Sequence, residues 1–151
     1  MKKILYSLFI LGLFAAIGYY FYSNESYRKS IEAKYYYMKG DYQKAYELSR
    51  EAFDLDPYNK MAFTVMTQSK ISSKFQRYIE DGNKFLKKIE EISNKPKITE
   101  ADKIRIKMMT ETMIERFKTL TPTALTDKKL SNEAYKVYRR FKKIHEELFR
   151  E

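Results

Sequence analysis

The chain has 151 residues, no cysteine, four glycines, three prolines and a formal charge of +10. That length suffices for one domain with a core that needs no staples, and the missing cysteines exclude disulfides, thiolate metal sites, a cysteine nucleophile and a lipidated N-terminal cysteine. So few backbone breakers, with no stretch alternating strongly at period two, point to an all-α fold.

Ile4 to Tyr22 is a run of nineteen residues without a charge. A helix of that length covers about 28 Å, close to the hydrocarbon thickness of a bilayer. Tyr19, Tyr20 and Tyr22 gather at its end, where polar-tipped aromatics suit the headgroup boundary. Residues 1–23 therefore read as a transmembrane signal anchor. Lys2 and Lys3 favour a cytoplasmic N-terminus with the rest of the chain outside a bacterial inner membrane, in the periplasm. Arg28, Lys29, Lys34 and Lys39 beyond the run weigh against that orientation. Ala16-Ile17-Gly18 also offers the small residues of a cleavage site, so a removed signal peptide and a soluble periplasmic domain is the alternative.

A helical hairpin follows. Tyr27, Ile31, Tyr35 and Met38 step by four, four and three along one stripe, widened by Tyr36 and Tyr37. Gly40 suits the positive φ of a helix end, and Asp41 suits the cap of the next helix. Tyr42, Ala45, Tyr46, Leu48, Ala52, Phe53 and Leu55 are the apolar positions of that second helix, and Pro57 ends it. Ala45 and Ala52 are small enough to let two helices approach closely.

With Pro57 set as the closing proline, residues 26–59 resemble the tetratricopeptide repeat, a helix–turn–helix module of about 34 residues. Ala33 takes the small-residue position of the first helix, Tyr36 the tyrosine, Gly40-Asp41-Tyr42 the turn, and Ala45 and Ala52 the two alanines. Leu55-Asp56-Pro57 matches the closing triplet and Asn59 follows. Lys29, Glu32 and Ser49 depart from the usual tryptophan, leucine and aromatic. The resemblance implies a docking surface on the concave face of the first helices, which here means Tyr27, Ser30, Lys34, Tyr37, Met38, Met61, Thr64 and Gln68. Lys34 would receive a carboxylate of a protein partner, and Tyr37 and Met38 would supply contact area.

Residues 60–92 read as a degenerate second hairpin, with Phe63 and Met66 in its first helix, Ser72-Ser73 at its turn and Tyr78, Ile79, Phe85, Leu86 and Ile89 in its second. The C-terminal helical pair spans 93–151. Thr99 to Asp102 resembles a capping box. The helix it opens should run to about Leu120 with Ile106, Met109, Met113, Ile114 and Phe117 inward. The three methionines 108, 109 and 113 give that face adaptable side chains, suited to core filling or to a peptide groove. A loop over 120–126 leads to a last helix in which Leu130, Ala134, Val137, Phe141, Ile144 and Leu148 form a coiled-coil-like seam. The seam serves either a bundle core or self-association. Lys129, Lys136, Arg140 and Lys143 lie roughly opposite it.

No phosphate loop or nucleophile elbow occurs, and His145 is the only histidine. Catalysis, metals, cofactors and nucleic acid are therefore not expected. The anchor and the repeat resemblance together imply an adaptor that holds a protein partner beside a membrane, within an envelope complex such as a flagellar motor, a secretion system or the division machinery. The alternatives are a homo-oligomeric spacer joined through the terminal seam and a basic binder of membrane surfaces.

Overall fold

The computed structural model describes residues 2–124 and 126–149. Among these residues there are six helices and no strand: α1 Lys2–Ser23, α2 Glu25–Met38, α3 Tyr42–Leu55, α4 Lys60–Ser93, α5 Glu100–Lys118 and α6 Lys128–Phe149. The all-α class is as expected. The chain divides into two compact units, Met1–Lys70 and Ile71–Glu151.

The first unit holds α1, α2, α3 and the start of α4. The described side chains of α1 are exposed, and Tyr6–Ser23 is long and apolar enough to cross a membrane. Asn24 breaks the helix with an extended backbone, and its side-chain carbonyl accepts from the Tyr27 amide at 3.3 Å to cap α2. Gly40 takes φ 83°, a left-handed turn that a Cβ would strain. Asp41 caps α3 by accepting from the Lys44 amide at 3.1 Å. The helix ends at Leu55, two residues before Pro57.

The interior of this hairpin is not the tyrosine stripe. The buried positions of α2 are Ser26, Ser30 and Ala33, and they meet Tyr42, Ala45, Ser49 and Ala52 of α3. Ile31, Tyr35 and Met38 face outward, at 50%, 52% and 78% exposure. Small residues on both helices bring the backbones together, and Tyr42, near the turn, is the one aromatic among these buried positions. Two departures from the repeat pattern are accommodated by polar contacts. Lys29 donates to Glu51 across the hairpin at 2.6 Å, and Ser49, fully buried, donates to the Ala45 carbonyl at 2.6 Å.

The expected hairpin over 60–92 is corrected. Residues 60–93 form one continuous helix, with no turn at Ser72-Ser73. A serine costs a helix only about 0.5 kcal/mol relative to alanine, and neither glycine nor proline stands there to stop propagation. The boundary between the units accordingly lies inside α4, at 70/71, and not at 92/93.

The second unit packs the rest of α4 with α5 and α6 around Phe75, Tyr78, Ile79, Ile89, Ile106, Met113, Ala134, Val137 and Phe141. Thr99 and Asp102 form the capping box reciprocally: the Thr99 hydroxyl accepts from the Asp102 amide and the Asp102 carboxylate accepts from the Thr99 amide, both at 3.2 Å. Gly82 permits the close helix contact at the centre, since a Cβ there would lie 2.5 Å from Val137 Cγ1. The seam of α6 is occupied within this unit. Ala134, Val137 and Phe141 are buried, Leu130 and Ile144 pack against them, and only Leu148 is left exposed. The expected loop over 120–126 contains Leu125, which lies outside the described residues.

Candidate partner-binding groove

In the first unit a groove of about 440 Å³ runs between α2 and the first turns of α4. It is lined by Lys34, Tyr37, Met38, Lys60, Met61, Thr64, Val65 and Gln68. Six of the eight positions implied by the repeat resemblance are thus brought together. They come from two helices because Asn59 fixes how α4 starts. The Asn59 side chain is fully buried. Its carbonyl accepts from the amides of Met61 and Ala62 at 3.1 Å, capping α4. Its amide donates to the hydroxyls of Ser26 at 2.9 Å and Ser30 at 3.3 Å on α2. Ser26 in turn donates to the Ala52 carbonyl of α3 at 2.7 Å. One buried side chain therefore ties three helices and sets the spacing of the groove walls.

Ser30 is a correction to the expected surface. It is fully buried, held between Asn59 and the Tyr27 carbonyl, so it supports the groove from behind. Tyr27 also lies elsewhere: its ring packs on Phe21 at 5.1 Å and on Tyr20 at 6.3 Å, at the junction with α1. Tyr37 is half-buried with its ring against Tyr42 at 5.3 Å, which orients the face it turns to the groove. Tyr36 stands on the far side, where Lys44 donates to its hydroxyl at 2.7 Å, a bond that raises the Lys44 pKa above its usual value.

The chemistry of the groove is that of a peptide site. Val65, Met61, Met38 and the Tyr37 ring give apolar area, and Thr64 and Gln68 give hydrogen-bonding groups. Lys34 and Lys60 lie on the lining, no carboxylate does, and neither lysine has an ion-pair partner among the described residues. Met38 and Met61 add unbranched side chains that adapt to an occupant. His145, the single histidine, lies in the second unit with Nδ1 3.1 Å from the Thr110 hydroxyl and its ring near Phe149.

Lys60, Val65 and Asn59 were missing from the sequence-based surface. Asn59 carries a readable signal, an amide side chain directly before an amphipathic run, which marks a helix cap. Lys60 and Val65 carry none of their own, because their place depends on how α4 sits against α2.

Residues 26–59 match the family model described as tetratricopeptide repeat. No curated protein and no solved structure matches the chain. That family is in general a non-catalytic fold for protein interaction. With α2 and α3 forming a helical hairpin over the matched segment, residues 26–59 are a tetratricopeptide repeat-like unit in an all-helical chain, whose apolar first helix is a candidate membrane anchor or signal sequence.

Proposed function

We propose that the chain is a membrane-anchored adaptor whose α2–α4 groove holds an extended, acidic segment of a protein partner. The observation that carries this reading is the groove lining: an apolar floor with Lys34 and Lys60 and no carboxylate. A partner side chain such as leucine or phenylalanine fills the methionine-lined floor, and a neighbouring carboxylate meets the two ammonium groups. In this reading α1 spans a bacterial inner membrane, the N-terminus is cytoplasmic and the repeat faces the periplasm, where it recruits a component of an envelope complex.

The test is crosslinking of the full chain in native membranes, comparing wild type with a Lys34→Glu, Tyr37→Ala double variant. Loss of a specific crosslinked protein supports the groove, and an unchanged set of crosslinked proteins rejects it. Protease added outside spheroplasts should digest the repeat, and full protection would reverse the orientation.

A further inference from the structure

We infer that the outward face of α6 is a second contact with the bilayer, one that reads negative lipid charge. Lys129, Lys136, Arg139 and Arg140 are exposed and have no ion-pair partner among the described residues. Lys142 and Lys143 adjoin them, held only by loose pairs to Glu146 at 3.8 Å and Glu147 at 3.7 Å. At the helical rise, Lys129 to Lys143 spans about 21 Å of one surface. Glu133 is the remaining acidic residue of the helix. The opposite face is fixed in the core through Ala134, Val137 and Phe141, so the cations project from a firm support.

The character of this surface selects the occupant. A shallow depression on it is lined by Lys136, Arg139, Arg140, Lys142, Lys143 and Glu146, with no aromatic or aliphatic anchor. Interfaces between proteins concentrate their energy in such anchors and are depleted of lysine at their centre. A fluid anionic bilayer needs no pocket and is attracted by each basic group within a Debye length. This inference rests on α1 being the anchor. Once the chain is tethered, a contact too weak to recruit it from solution becomes effectively intramolecular. The repeat groove would then be served by two attachments to the membrane, one hydrophobic and one electrostatic.

Because the chain has no cysteine, Asn132→Cys gives a unique labelling site on the exposed part of α6. The full chain carrying a fluorophore there is placed in nanodiscs of phosphatidylcholine, with or without about 30% phosphatidylglycerol, doped with a headgroup quencher. Quenching should be at least about threefold greater in the anionic discs at about 0.1 M salt, and should fall to the neutral level at about 1 M salt, where the Debye length is only about 3 Å. Lys136→Glu, Arg140→Glu should abolish the difference while circular dichroism stays helical. The lipid and salt comparisons stand on the unaltered stripe if that variant does not fold. A chain that stays with the discs but is quenched equally in both lipids, or in neither, overturns the inference and leaves the anchor intact; an acidic protein as the real occupant gives this result. A chain that leaves the discs overturns the anchor and the second contact together.

Discussion

The two units of this chain solve the burial problem in opposite ways. In the repeat the interior is mostly small, made of Ser26, Ser30, Ala33, Ala45, Ser49 and Ala52 with Tyr42 near the turn, and latched by the buried amide of Asn59, while Ile31, Tyr35 and Met38 stand outside. In the second unit the large side chains are inside: Phe75, Tyr78, Met113 and Phe141 fill the centre, and even the Tyr78 hydroxyl is satisfied within it, donating to the Met113 carbonyl at 3.1 Å. That burial pushes the Tyr78 phenol well above its ordinary pKa. A small-residue interior gains its order from close backbone approach and directed hydrogen bonds. A large-residue interior gains it from area removed from water. The first arrangement leaves bulky side chains free to line a groove, and the second consumes them.

This contrast is best broken at its strongest point. Phe141→Ala, at a position with no exposure, should cost about 3–5 kcal/mol, read as a loss of hydrogen-exchange protection in α5 and α6 of the full chain in micelles. A cost below about 1 kcal/mol would mean that the centre of the second unit is loosely filled. Asn59→Ala should cost about 2 kcal/mol, since it removes a helix cap and two buried hydrogen bonds at once. Protection should drop more in α2 and α3 than in α5 and α6. An Asn59→Asp variant that proved neutral would show that the donors to Ser26 and Ser30 do not matter.

Gly82→Ala sets two effects against each other. Alanine gains about 1 kcal/mol of helix propensity, but its Cβ meets Val137 Cγ1 at 2.5 Å, and overpacking costs about 1–3 kcal/mol. The net loss should be about 1 kcal/mol by urea midpoint, and combination with Val137→Ala should cost less than the two changes summed.

The smallest effect concerns pH. Hydrogen bonds from Lys95 and from Thr99 hold the Asp102 carboxyl at about 2, below its ordinary value. A depressed folded-state pKa stabilises the fold at pH values above the unfolded pKa near about 4, and that contribution disappears as pH falls to about 2. Melting temperature should decline across that window, and Asp102→Asn should flatten the decline.

The termini of the helices were legible because their determinants are local. Gly40, Asp41, Pro57 and the Thr99–Asp102 box act through neighbouring backbone, and each performs the role its residue type suggests. The alanines of the repeat were legible too, since smallness is itself the requirement. What failed to read was direction. Tyr27, Ile31, Tyr35 and Met38 have the spacing of a core stripe, yet periodicity reports that a face exists and not whether protein or solvent meets it. The serines of α2 carried no apolar signal, although Ser26 and Ser30 form the actual interior. Ser72-Ser73 had the composition of a turn but lay inside a helix with enough apolar contact on both sides to propagate through it. Six of the eight lining positions coincide with those the repeat pattern implied, and Lys60 and Val65 do not. Ser30 and Tyr27, expected on that face, are drawn to Asn59 and to the α1 junction by neighbours that no local pattern encodes.

Asn24 is the sole non-helical residue between α1 and α2, and the rings of Tyr20, Phe21 and Tyr27 close over the junction. A connection that short has no random-coil contour, so chain statistics cannot set how far the groove wanders from the end of α1. Its distance from the end of α1 is instead bounded by the length of α2, about 21 Å. On the proposed reading of α1 as an anchor and of the groove as a docking site, a ligand segment must arrive within that narrow zone above the membrane, and one that emerges from a distant part of its own protein needs enough slack to descend into it.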